Sequence, residues 1–183
     1  MTSSTLRLHL RQHTRSAHEA LDRTIGVLDS AAAYRRFLTG SYAHRRPVEA
    51  YLAGIAWPAS FGAWRPTELA PSIAADLADI GADLPRLSGF DLSKDIASAV
   101  GVIYVLEGSA LGARLIRRQA GALGYDENHG ARHLARQERL GSWRDLLAIM
   151  ERLESIDPAV AVRAAEITFE QAATAMRENG FRR

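Results

Sequence analysis

A chain of 183 residues with a formal net charge of +2 is long enough to enclose a core and a ligand pocket as one domain, 1–183, without covalent staples. With no cysteine in the sequence, disulfides, thiolate metal sites and cysteine nucleophiles are excluded, so any metal must be held by His, carboxylate or Tyr. Lys94 is the only lysine and the arginines are dispersed among acids, which argues against the clustered footprint of a nucleic-acid binder, although a mildly positive surface suits an acidic redox partner.

Near the N-terminus Arg7 and Arg11 are threaded through the leucines, which speaks against a secretory signal and for a cytoplasmic location. Leu10, Thr14, Ala17, Leu21, Ile25 and Leu28 then fall on one face of a first helix, with Arg11 and His18 beside that stripe. A second helix is expected from Ala31, carrying Tyr34, Phe37, Leu38 and Tyr42, until Pro47 breaks or kinks it, after which Val48, Tyr51, Leu52 and Ile55 resume the pattern. Gly54 and Pro58 open a loop. Leu69, Ile73, Leu77 and Ile80 mark a third helix that ends at Gly81, with Pro71 leaving its start uncertain by a turn. Leu84 to Gly89 reads as a linker.

The fourth and longest helix is expected to run from a cap at Asp91 or Ser93 to Gly121, with Ile96, Val100, Ile103, Ala110 and Leu115 as its apolar members. Its uncharged stretch, Ile96 to Leu106, stops at Glu107, short of a bilayer span, so no membrane contact is expected. Asp126 to Gln137 reads as a polar, weakly periodic helix. Ser142 with Asp145 forms a capping pair for a helix holding Leu146, Leu147, Met150 and Leu153. The last helix takes Asp157 as cap, has Pro158 in its first turn, buries Val162, Ala165, Phe169, Ala172 and Met176, and ends at Asn179-Gly180. No stretch alternates β-branched and polar residues over a strand's length, so the fold class is all-α.

Two features point to a ligand. Gly101, Gly108 and Gly112 stand seven and four residues apart on one helix face. Each glycine inside a helix costs about 0.5–1 kcal/mol relative to alanine, so the three serve either a close helix-packing seam or a flat ligand against the backbone, and a kink at Gly108 to Gly112 would open a pocket. His18 is either a satisfied structural residue or a metal ligand, imidazole being well suited to iron. Arg11 precedes it by two helical turns, at nearly the same azimuth and about 10 Å away along the axis. The pairs His9/His13 and His129/His133 are each spaced four apart, but neither has a third ligand nearby in sequence, so both read as solvated faces. Glu107 reads as an arginine partner, Phe169 as core with a lesser claim to line a ligand edge, and Trp57, Trp64 and Trp143 as packing residues.

The segment from Leu10 to Leu21, with Thr14-x-x-x-His18 and Arg11 seven before the histidine, resembles the proximal helix of heme oxygenases. Tyr104-Val105-Leu106-Glu107-Gly108-Ser109-Ala110-Leu111-Gly112-Ala113-Arg114 is similar to the distal-helix motif of the bacterial members, and Tyr34 to Leu52 and Trp64 to Leu84 also follow the bacterial pattern. The resemblance spans essentially the whole chain. It implies a bundle of about seven helices with heme sandwiched between the first and fourth, and a monooxygenase that opens heme to biliverdin with release of CO and ferrous iron. By position it makes His18 the axial iron ligand, places Arg11 and Tyr104 near the propionate edge, and lets Gly108 and Gly112 bring the distal backbone over the heme. Two positions depart from the family. Ala113 replaces the second glycine of the usual Gly-Gly pair, and Ser109 stands where animal members carry an aspartate; water held by Ser109 and main-chain groups is then expected to supply the proton.

The partners implied are heme, an electron donor such as a ferredoxin or flavin reductase, and a bilin-using photoreceptor downstream. Two other readings are a carrier that holds heme without degrading it, for which Ala113 and the missing distal acid speak, and a non-heme enzyme of the same architecture, in which His18 would be irrelevant.

Overall fold

The computed structural model describes residues 3–179, with side chains from Leu6 onward; Gly180, expected to close the last helix, lies outside them. Among the described residues the regular elements are α1 (Ser3–Ile25), α2 (Ala31–Ala53), a short 3-10 turn (Ala59–Phe61), α3 (Ala70–Asp79), α4 (Ile96–Gly108), α5 (Ala110–Ala122), α6 (Arg132–Arg139), α7 (Ser142–Met150) and α8 (Pro158–Asn179). The class is all-α, and counting α4 with α5 as one interrupted helix gives the expected seven.

Several boundaries differ from expectation because capping and compensation come from remote side chains. Pro47 does not break α2, which continues to Ala53. Proline leaves the carbonyl four residues back without its donor, and Gln171 of α8 brings Nε2 to 3.5 Å from that Ala43 carbonyl. The first turn of α3 is capped by Glu49 of α2, whose carboxylate accepts from the amides of Leu69 at 2.8 Å and Ala70 at 3.0 Å, an anion at a helix N-terminus. Asp76 of α3 does the same for α6, accepting from Arg132 N and His133 N at 3.0 Å each. That cap starts α6 at Arg132, so the expected helix from Asp126 is a turn up to residue 131.

The cap of α4 is Asp95, which accepts from Ser98 N at 2.8 Å, rather than Asp91 or Ser93. Ser142 and Asp145 form no capping pair: Gly141 takes the N-cap position in a left-handed conformation (φ 59°), and the Ser142 hydroxyl is buried without a partner. Asp157 caps α8 as expected, accepting from Ala159 N at 2.8 Å.

Helix α8 is the centre of the bundle and packs along α4, α1 and α2. Its buried face is largely alanine, with Ala161, Ala164, Ala165, Ala172 and Ala175, so neighbouring backbones come close. Apolar residues form two clusters. One joins α1, α2, α4, α7 and α8 around Leu10, Val102, Ile103, Leu106, Leu146 and Phe169; the other joins α2, α3, α5 and α6 around Tyr34, Leu38, Ile73, Leu77 and Leu134. The stretch Ile96–Ala122 has the length and apolar composition of a membrane span, but 56% of its most apolar window is buried inside the protein, as befits a core helix. Leu115, expected inside, is exposed on α5.

His44 ties α2 to α8 through a hydrogen bond between Nδ1 and Oε1 of Gln171. Burial pulls its pKa from 6.5 down to about 4, only partly opposed by Gln171. Because the folded value lies below the unfolded one, the unfolded chain binds the proton first between these limits, and stability falls as pH drops from about 6.5 towards 4. The gap corresponds to about 3 kcal/mol. His44→Gln is therefore expected to flatten the loss of stability over that interval in urea titrations, and an unchanged pH profile would rule the histidine out as its source.

Candidate functional site

The apolar stripe of α1 faces the bundle, with Leu10 and Thr14 buried and Ala17 and Leu21 at the margin of the first cluster. The Thr14 hydroxyl donates to the Leu10 carbonyl at 2.8 Å. His18 lies beside this stripe, with its side chain 59% exposed. Two neighbours orient the imidazole: its ring meets that of Phe169 edge-on at 5.9 Å, and Nδ1 lies 3.1 Å from Oδ2 of Asp22, one turn on. Nε2 is left for an incoming ligand. Phe169 thus belongs to the core and also meets the His18 ring.

The three aligned glycines have different surroundings. A methyl group on Gly101 would sit 2.1 Å from the carbonyl oxygen of Ala161 and 3.0 Å from the Ala164 side chain, so Gly101 is the packing seam between α4 and α8. A methyl group on Gly108 would meet the Trp143 indole at 3.5 Å, an ordinary contact. At Gly112 nothing lies within 4 Å of the position a methyl would take, and the backbone there is open. The close-packing reading of the glycine face therefore applies at Gly101, while at Gly112 the backbone has free space beside it. Ala113 points the other way, buried in the second cluster, so its methyl does not encroach on the open face.

Between these glycines the long helix is interrupted at Ser109. The Ser109 hydroxyl donates to the Leu106 carbonyl at 2.6 Å and accepts from Arg45 Nη2 at 3.1 Å and Gln137 Nε2 at 2.7 Å. Arg45 is buried and donates also to the carbonyls of Leu106 at 2.9 Å and Thr67 at 3.2 Å. Two buried carboxylates flank it: Glu49, 3.5 Å away, and Glu107, which accepts from the Thr67 amide at 2.7 Å. Burial lowers the Arg45 pKa against the pull of these acids, and burial raises that of Glu49 against the pull of Arg45. Glu107 bonds to Thr67 and acts on Arg45 through its charge alone; among the described residues the direct arginine pair expected for it is not formed.

Tyr104 is half-buried at the margin of the first cluster, edge-on to Trp143 at 5.4 Å. Burial raises its phenol pKa, and the charges of Arg7 and Arg11 on α1 oppose that rise, which brings the cations of α1 into the electrical neighbourhood of α4. Arg11 itself is exposed. His18 and Gly108 consequently sit at two margins of one apolar cluster.

The paired histidines are engaged elsewhere. His13 Nδ1 contacts the His9 carbonyl at 2.8 Å and the two rings lie 4.1 Å apart. His129 lies in the turn before α6, and His133, expected on a solvated face, is buried with Nδ1 2.6 Å from Asp76 Oδ2. Burial lowers its pKa more than Asp76 raises it.

The residues missed from sequence are Arg45, Asp22 and Gln137. Arg45 and Glu49 are spaced as a helical ion pair, and Glu107 interrupts an apolar run; together these two signals of a buried charge network were open to reading. Gln137 and Asp22 carry no such signal.

No profile of a known protein family matches the chain. Heme oxygenase PigA of Pseudomonas aeruginosa is 32% identical to it over 150 residues, which cover 77% of this chain and 75% of that protein. Among solved structures, the NO- and CO-bound heme oxygenase of Neisseria meningitidis superimposes with a TM-score of 0.79 at 22% identity, over 98% of this chain and 92% of the other.

Proposed function

The chain belongs to the heme oxygenase family, and from that membership we propose that His18 ligates the iron of a heme held between α1 and the Gly108–Gly112 backbone. The enzyme opens heme oxidatively to biliverdin, releasing CO and ferrous iron, and heme is both its cofactor and its substrate. The observation that carries the site assignment is the exposed, oriented imidazole of His18 at the edge of the apolar cluster that also borders Tyr104, Trp143 and the glycine segment.

The residues fit a flat, apolar, dianionic group. Ala17, Leu21, Phe169, Tyr104 and Trp143 offer apolar margin, the bare backbone at Gly112 leaves open space, and Arg7 and Arg11 offer cations for carboxylates. When bound, heme supplies the redox chemistry, in which dioxygen is reduced and one bridging ring carbon is oxidised. Asp22 accepts the Nδ1 proton of His18 and fixes the tautomer that leaves Nε2 as ligand. Phe169 holds the plane of the imidazole. Arg11 and Tyr104 would hold the propionates of a bound heme and so orient the ring. A neutral imidazole donates less charge to iron than a thiolate does, which suits oxidation of the ring itself. The bare backbone at Gly112, with the Trp143 indole beside Gly108, would form the wall opposite His18, and steering toward one ring carbon would then be steric.

Electrons come from an acidic ferredoxin or a flavin reductase, drawn by the positive surface; a bilin-using photoreceptor is a fitting consumer of the product. A cytoplasmic location and a single folded domain complete the reading.

Hemin added to the purified protein is expected to give a Soret band that is lost, with biliverdin appearing, once a reductant and dioxygen are supplied. A Soret band that persists unchanged under those conditions would favour the non-degrading carrier and defeat the assignment of the turnover to this site.

A further inference from the structure

We propose that Arg45, Ser109 and Gln137 form a pin that holds the distal helix broken over the heme face, so that all three are positioning residues for the ring-opening reaction. The inference rests on the heme oxygenase reading and concerns what keeps its distal wall in shape.

A helix interrupted at one residue must satisfy the backbone groups that the interruption frees. Here the Leu106 carbonyl, one turn before the break, takes two donors from outside the helix ladder: the Ser109 hydroxyl at 2.6 Å and Arg45 Nη2 at 2.9 Å. A serine hydroxyl has one proton to give and two lone pairs to receive with. The proton of Ser109 goes to Leu106, and the lone pairs accept from Arg45 and from Gln137. The hydroxyl is saturated by protein, so it holds the break and is not free to relay a proton to distal water.

The two outer arms of the pin are themselves fixed. Arg45 is held by the Thr67 carbonyl at 3.2 Å and by Glu49 at 3.5 Å, and its guanidinium reaches both the Leu106 carbonyl and the Ser109 hydroxyl. Gln137 projects from α6, which is strapped to α5 by the ion pairs of Glu138 with Arg114 at 2.9 Å and Arg117 at 2.6 Å. The break thus joins α2 on one side to α6 on the other. Because Gly108 and Gly112 flank Ser109, their backbone height over the ligand follows from where the pin holds it.

The test compares Ser109→Ala, Ser109→Thr and Gln137→Leu with the wild type. In the ligand-free protein, hydrogen exchange of the amides between 106 and 113 is expected to quicken about three- to tenfold in Ser109→Ala and Gln137→Leu, the range expected for loss of one hydrogen bond. Ser109→Thr keeps the hydroxyl and should exchange like wild type. With heme and reductant, the first two variants should convert a single biliverdin isomer into a mixture while still turning over. Exchange that stays at the wild-type rate overturns the pin, and so does an unchanged isomer composition despite faster exchange. Loss of turnover in Ser109→Ala with unaltered exchange would identify a proton carrier instead. If wild type forms no biliverdin at all, the family reading fails, and the exchange rates still decide whether the break is pinned.

Discussion

His18→Ala is expected to lose biliverdin formation while its unfolding midpoint stays within about two degrees of wild type. Groups that merely orient a metal-ligating imidazole are worth roughly 10–100-fold in affinity or activity, so removal of the ligand itself should reach or exceed the upper end of that range. Stability is spared because the side chain is 59% exposed, its contact with Asp22 is itself at the surface, and it meets Phe169 only by an edge; surface substitutions away from caps and cores change little. Asp22→Asn separates ligation from orientation, since it keeps the size and a neutral acceptor but loses the negative charge beside Nδ1: heme should still bind through His18, with an altered Soret maximum and slower turnover. The measurements are hemin titration, product analysis and thermal melting. Full biliverdin formation in His18→Ala would remove His18 as the iron ligand.

Gly101→Ala is expected to be the most destabilising single-methyl addition in the chain. The added carbon would lie 2.1 Å from the Ala161 carbonyl oxygen and 3.0 Å from its carbonyl carbon, and the obstacle is helix backbone, which has no rotamer to move aside. Helices α4 and α8 would have to separate along the alanine face that forms the bundle's centre. Overpacking of this kind costs about 3 kcal/mol or more, or a fall in melting temperature of roughly 6–12 °C for a chain of this size. Gly112→Ala supplies the opposite outcome from the same chemistry. With nothing within 4 Å, the ligand-free protein should gain about 0.5–1 kcal/mol from better helix propensity, while the methyl stands in the space assigned to heme and weakens its binding. If Gly101→Ala melts like wild type, or Gly112→Ala binds hemin like wild type, the division of the glycine face into seam and ligand wall is wrong.

Much of the molecule is legible in the one-dimensional pattern because helices are local objects. A 3.6-residue repeat, a capping Asp157 and a run of alanines suffice to place α8, and the proximal and distal motifs are contiguous in sequence, so His18, Gly108 and Gly112 could be singled out before any coordinate was known. The expected break at Pro47 failed because the donor that rescues Ala43 comes from Gln171, 124 residues beyond the proline. Helix α3 starts within the turn that Pro71 left open, whereas α6 starts six residues later than its pattern suggests because its cap, Asp76, belongs to another helix.

The amino-acid sequence by itself determined an all-helical chain, the absence of thiol chemistry, and the choice of His18, Gly108 and Gly112 as the residues proposed to meet heme. Tertiary structure alone decided which glycine meets a helix and which meets open space, that Ala113 faces the core, and that Ser109 is held by Arg45 and Gln137 rather than left free. The reason is physical: periodicity and propensity act over a few residues along the chain, whereas a buried charge or an interrupted helix is satisfied by whatever group folding brings within about 3 Å of it, at any separation in sequence.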